Sequence, residues 1–148
     1  MRMKGASVSF LISFVLMANL QNTESKKYTL PEVREALKPI RDICIERVSV
    51  NPKLIDDANN GNFASDRKLQ CYYKCLMLMT KVMKNDKIVE KAYQNIVDLM
   101  LVEELQDVAV GAFKHCRSLL TKTMEGCQLA FEVVKCFHDY DSTFLLFP

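Results

Sequence analysis

The sequence predicts an all-α domain of about six helices, stapled by three disulfides. Three observations lead there. Apolar residues recur every three or four positions along most of the 148 residues, the period of a helix with one buried face. Glycine is scarce, at 4 residues, and the one Asn-Gly pair, Asn60-Gly61, lies in a polar stretch rather than between alternating apolar runs. Six cysteines, Cys44, Cys71, Cys75, Cys116, Cys127 and Cys136, are separated by 26, 3, 40, 10 and 8 residues. An even set in a small chain can pair completely, and such bridges supplement a small core.

The chain opens on a signal-peptide pattern over residues 1–22, with the cut expected between 18 and 25. Arg2 and Lys4 make a basic start, and Val8 to Leu20 is an apolar stretch too short to span a bilayer comfortably. This leader predicts secretion into an extracellular, oxidising fluid. No second apolar span follows, so the mature chain, 23–148, is expected to be one domain that crosses no membrane. Lys and Arg number 20 against 18 Asp and Glu; without Arg2 and Lys4 the counts are equal, and no basic patch invites nucleic acid.

The helices follow in order. Thr29 and Glu32 have capping-box spacing, and Val33, Ala36, Leu37, Ile40, Cys44 and Val48 form the stripe of a first helix. Pro39 falls inside that stripe and predicts a kink or break. Asn51-Pro52 reads as the cap and first position of a short second helix ending near Asn59, with a loop over 60–62. A third helix runs from about Ser65 to Met83, and Cys71 and Cys75, four apart, share one of its faces. Asn85-Asp86 restarts the chain. Val89, Ala92, Tyr93, Ile96, Leu99 and Met100 form the next stripe, and Val102, Leu105, Val108, Ala109, Ala112, Phe113, Cys116, Leu119 and Leu120 the one after. No Pro or Gly separates these two, so the break falls only loosely in 101–104. The last helix covers about Met124 to Tyr140, with Cys127, Ala130, Phe131, Val134 and His138 on one side.

One cysteine on a first helix, C-x3-C on a third, about 40 residues, and a final C-x8-C form a specific pattern. So does the ending, Cys127-Gln-Leu-Ala130-Phe131 followed by Val133-Val134-Lys-Cys136-Phe137. Over Cys44 to Cys136 the chain resembles the insect odorant-binding proteins of the six-cysteine, pheromone and general odorant-binding type. That resemblance implies the pairing Cys44–Cys75, Cys71–Cys127 and Cys116–Cys136, and helices arranged around a central apolar cavity. It also implies a secreted, non-enzymatic carrier of small hydrophobic molecules such as odorants, pheromones or similar semiochemicals. A chemosensory receptor is the further partner it suggests, and the chain itself is expected to be a monomer or weak homodimer. A shell pinned by bridges can keep its centre open, where an unbridged bundle would collapse on the void.

The candidate ligand-lining residues fall in three groups. Leu76, Leu78, Met79, Val82 and Met83 follow Cys75 in a methionine-rich stretch that also holds Met77, and methionine is flexible and polarisable enough to suit a wall that accepts varied shapes. Phe113, Leu120, Phe131, Val134 and Phe137 come from the later helices; ordinary core packing is the competing reading for both groups. The third group is the tail 141–148. Phe144 to Pro148 is apolar and uncharged and would be an exposed patch if left in water, so it should dock on the body, with Phe144 and Leu146 on the pocket wall; an outer groove or a dimer contact competes. Tyr72, Tyr73, Thr80, Tyr93 or Tyr140 would supply a polar group. His138, Asp139 and Asp141 sit where the tail begins, and acid adds positive and removes negative charge there, so low pH is expected to loosen the tail.

Other chemistries fit poorly. Zinc sites favour C-x2-C pairs joined by a second Cys or His pair, so no metal and no cofactor are expected. His115 and His138 are the only histidines; His138-Asp139 beside Cys136 superficially matches secreted phospholipases, but the glycine-rich calcium loop of that chemistry is absent. Bridged cysteines cannot be nucleophiles. No catalytic residue is expected. The alternative to a carrier is a secreted interaction or effector protein on the same scaffold, and a small secreted hydrolase ranks third.

Overall fold

The computed structural model describes residues 26–144 and 146–148. The expected signal peptide, 1–22, lies outside the described residues. Among these, seven helices and one two-stranded ribbon follow one another: α1 Leu30–Val48, α2 Pro52–Asn59, α3 Arg67–Met79, β1 Met83–Lys84, β2 Lys87–Ile88, α4 Glu90–Met100, α5 Glu103–His115, α6 Arg117–Leu120 and α7 Gly126–Tyr140.

Helix starts are set by side chains that satisfy the free N–H groups of a first turn. The Thr29 N–H donates to Glu32 Oε2 at 2.9 Å, closing the expected box before α1. Asn51 Oδ1 accepts from the Lys53 N–H at 3.0 Å at α2, and Asp66 Oδ1 accepts from the Leu69 N–H at 2.9 Å at α3. At α7 the cap is Glu125, whose Oε2 accepts from the Gln128 N–H at 3.2 Å.

Three expectations about the elements are corrected. Pro39 does not break α1, which runs unbroken across it. Pro39 and Glu35 both face solvent, so water can satisfy the Glu35 carbonyl that proline cannot. The third helix ends at Met79 rather than Met83, because Thr80 Oγ1 donates back to the Leu76 carbonyl at 2.9 Å and Lys81 turns into the left-handed region at φ 64°. The chain beyond it is not helical but a tight hairpin, with Met83 opposite Ile88 and Lys84 opposite Lys87. Asn85 and Asp86, at φ 51° and 57°, are its two central residues, and Asn and Asp tolerate that conformation better than most.

The loosely placed break after α4 falls at Leu101 and Val102. A short parallel bridge fixes it there: the Tyr28 N–H donates to the Met100 carbonyl at 2.6 Å, and the Val102 N–H to the Tyr28 carbonyl at 3.2 Å. Gln106 Nε2 donates to the Leu101 carbonyl at 2.9 Å, satisfying an acceptor that a continuing helix would have used.

The three bridges are Cys44–Cys75, Cys71–Cys127 and Cys116–Cys136, the pairing that the resemblance implies, and all six cysteines are used. They fasten α1 to α3, α3 to α7, and the end of α5 to α7. In the chain-entropy model, loops of these sizes stabilise by about 3–4 kcal/mol each. α3 packs against α7 and against α1. Two apolar clusters result. One gathers Cys44, Ile55, Leu69, Tyr72, Tyr73, Leu76, Leu129 and Ala130 around the α3–α7 contact. The other gathers Val33, Tyr93, Val97, Leu101, Ala109, Phe113 and Phe144 around α4 and α5. Phe137, Leu120 and Ile88 touch both.

Candidate functional site

An apolar pocket lies on the seam between the two clusters. α7 supplies Val133, Val134, Phe137 and His138; α3 supplies Tyr73 and Met77. Ala58 and Asn59 come from the end of α2, Phe63 from the loop after it, Val82 and Ile88 from the hairpin region, and Tyr93 and Phe113 from α4 and α5. The tail completes the wall with Phe144, Leu146 and Phe147. The space left open is narrow, about 50 Å³ for the centre of a water-sized sphere. One water needs roughly 10–15 Å³ on that measure, so a guest of a dozen heavy atoms fits only if the walls move.

The wall is largely aromatic, with Asn59, Tyr73, Tyr93 and His138 as its polar side chains. Tyr93 stacks on Phe113, with centroids 4.8 Å apart, and meets Phe137 edge-on at 5.8 Å. The Tyr93 hydroxyl donates to the Ala109 carbonyl at 3.0 Å. Burial pushes the Tyr73 and Tyr93 phenols well above the usual tyrosine range, so both stay neutral. Phe63 packs edge-on against Phe131 at 5.9 Å and against His138 at 5.3 Å. Gly61 lies beside that histidine at φ +90°, and a Cβ there would sit 3.2 Å from His138 Cε1.

The tail is held at both ends. Asp141 Oδ1 accepts from the Thr143 N–H at 2.9 Å and from its hydroxyl at 2.6 Å, which turns the chain back after α7. Phe144 is 3% exposed. At the far end the fully buried Tyr72 hydroxyl donates to the Pro148 carbonyl at 2.8 Å.

The structure brings together Val82, Phe113, Val134, Phe137, Phe144 and Leu146 of the expected lining residues. The other six lie off the wall. Leu78 is seven residues past Cys71 and so on the same side of α3; it faces solvent at 39% exposure. Leu76 and Met83 are packed in the α3–α7 cluster, and Met79, at the end of α3, lies against it. Leu120 is half-buried at the end of α6. Phe131 stands behind Phe63 and Tyr73 rather than beside them on the wall. Ala58, Asn59, Phe63, Ile88 and Val133 were not expected there; Met77 and Phe147 lie in the two stretches expected to reach the wall, Tyr73 and Tyr93 were candidates for its polar group, and His138 for the hinge of the tail. The missed signal is spacing: Tyr73 and Met77 are four apart, as are Val133 and Phe137, on faces different from those that carry Cys71 and Cys127.

A second depression, between α1, α2 and Pro148, is wider, at about 510 Å³, but is lined by Arg34, Glu35, Lys38, Arg41, Asp42 and Asp56 and opens to solvent. It suits water and ions rather than an apolar guest. Among the described residues, no group of three or more His, Cys, Asp or Glu is placed to hold a metal, and no helix is long and apolar enough to cross a membrane.

Comparison with known proteins adds the family. Residues 26–140 match the profile of the PBP/GOBP family. General odorant-binding protein 72 of Anopheles gambiae is 22% identical over 120 residues, which is 81% of this chain and 98% of that one. General odorant-binding protein 19a of Drosophila melanogaster is 23% identical over 123 residues, 81% of this chain and 84% of that one. Among solved structures, odorant binding protein 5 of Apis mellifera superposes with a TM-score of 0.75 at 22% identity, covering 83% of this chain and 100% of that one. Odorant binding protein 4 of Chrysopa pallens does so with 0.73 at 22%, covering 82% and 99%. At these identities the structural likeness establishes a shared fold.

Proposed function

Because the chain belongs to the PBP/GOBP family, we propose that it is a secreted, non-enzymatic carrier of small hydrophobic molecules, odorants or related semiochemicals, held in the pocket between α3, α4, α5, α7 and the tail. The observation that carries this reading is the wall itself. Nearly every group facing the pocket is apolar, and the neutral phenols add no charge. Each methylene removed from water there gains about 0.8 kcal/mol, so an aliphatic chain is held without strong polar contacts. Asn59, Tyr73 and His138 are polar side chains on the wall, and they would orient a hydroxyl or carbonyl on the cargo. The narrow free space assigns the flexible parts a role: Met77 and the tail residues yield to make room.

The test is fluorescence titration with N-phenylnaphthylamine, a neutral apolar probe, followed by displacement with aliphatic alcohols of increasing length. The carrier reading expects saturable binding, and affinities that rise with chain length until the pocket is full. A protein that recognises only another protein would show no saturable uptake, and that result would remove the reading.

A further inference from the structure

The stacked rings of Tyr93 and Phe113 are shared by two spaces. Inward lies the apolar pocket; outward lies a separate cleft of about 170 Å³ between α4 and the α5–α6 corner. Both residues line both spaces and are nearly buried, at 4% and 6% exposure, so the partition is one pair of rings thick. The cleft's floor is otherwise Val97 and Val110, and its rim carries Glu90, Gln94, Lys114 and Arg117. Across the mouth Arg117 Nη2 stands 3.3 Å from both carboxylate oxygens of Glu90, joining the first turn of α4 to α6.

The two sides of this partition are fastened differently. α5 is tied to α7 at its end by Cys116–Cys136, whereas α4 carries no bridge. α4 is held at its ends by backbone contacts: the Val89 N–H donates to the Val82 carbonyl at 2.7 Å before it, and the Tyr28 bridge follows it. Along its length, what joins it to α5 includes the ring stack and the Tyr93 hydroxyl on the Ala109 carbonyl. The tail, by contrast, is anchored at Asp141–Thr143 and again at Tyr72–Pro148.

We propose that cargo passes between pocket and solvent through the Tyr93–Phe113 partition, with α4 as the door, the Glu90–Arg117 pair as its latch and the outer cleft as a vestibule for a neutral apolar guest. This rests on the carrier reading and adds the route. The latch touches solvent and the vestibule but not the inner pocket, so it governs rates rather than affinity.

Stopped-flow mixing with N-phenylnaphthylamine reads both rates. Arg117→Glu, which sets two carboxylates against each other, should speed association and dissociation together, roughly threefold or more, while their ratio stays within about twofold. The exchange Glu90→Arg with Arg117→Glu should restore the slower rates. Salt supplies a second readout. Screening weakens attraction in the native pair and repulsion in the single variant, so added salt should raise the native rates and lower those of Arg117→Glu. The probe carries no charge, so steering does not explain either trend. Saturable binding with rates indifferent to the latch, or changed only when the tail is removed after Ser142, would overturn the door and leave the carrier. Absence of saturable binding would remove both.

Discussion

At the residue scale, position on a helix face separates wall from bystander. Val134 and Phe137 face the pocket, while Leu78, equally apolar and also expected on the wall, is on the surface. Val134→Trp should fill the narrow space and weaken N-phenylnaphthylamine binding by about tenfold or more, with far-ultraviolet dichroism unchanged. Leu78→Asp should leave binding within about twofold, since the side chain is partly exposed and off the pocket wall. Equal effects in the two variants would mean that the pocket is not where the probe sits. The sequence could nominate apolar residues but not orient them. Both Leu76 and Met77 are buried, and only the second lines the pocket, a distinction of one helical step that depends on which way α3 is rotated about its bridges.

At the element scale, two acidic side chains hold helix ends and set pH windows. Glu125 caps α7 and pairs with Arg67 at the start of α3, its Oε2 2.7 Å from Arg67 Nη1. The hydrogen bond from Arg67, aided by the backbone N–H groups of Cys127 and Gln128, brings its carboxyl down from 4.5 to about 2. A depressed carboxyl stabilises the fold fully above its unfolded value, and this is lost as pH falls from about 4.5 toward 2. The pair is solvated, so the effect is small. Glu125→Gln should lower the melting temperature by a degree or two at pH 7 and by nothing measurable near pH 2.

Asp141 behaves alike at the tail's first turn, lowered from 3.8 chiefly by the Thr143 hydroxyl and then by the Thr143 N–H. Asp139 is engaged elsewhere, with Lys135 at 2.8 Å. Asp141's share of any acid loosening therefore lies below pH 3.8, not in the mildly acidic range. Probe affinity of the intact chain and of one ending at Ser142 should differ at pH 7, and this Asp141 contribution to the difference should fade only below 3.8. The hairpin that replaces the end of the expected third helix was hidden for a physical reason. Asn85-Asp86 lacks the glycine that usually marks such a turn, and strands two residues long carry no periodicity.

At the scale of the whole molecule, cysteine spacing made most of the architecture legible, because a bridge is a long-range contact written in residue type alone. The α3–α7 contact at the heart of the fold is the one that Cys71–Cys127 closes. The pocket was legible in part, through Val82, Phe113, Val134, Phe137, Phe144 and Leu146; what α2, the loop after it and Ile88 add to the wall depends on tertiary packing. Replacing Cys71 and Cys127 together by Ser should cost about 4 kcal/mol by chain entropy, lower the melting temperature by more than 10 °C and abolish probe binding before the helices melt. A variant that binds unchanged would show that the bridge does not hold the wall.

The central claim is that a small apolar molecule occupies the seam between the two clusters. A diazirine-bearing aliphatic alcohol, photolysed with the disulfide-intact protein and mapped by mass spectrometry, tests it most directly. Saturable labelling of Met77, Val133, Val134 or Phe137, competed by the unmodified alcohol, is the predicted result. Labelling confined to exposed apolar residues such as Leu99 and Leu78, or labelling that never saturates, would contradict it.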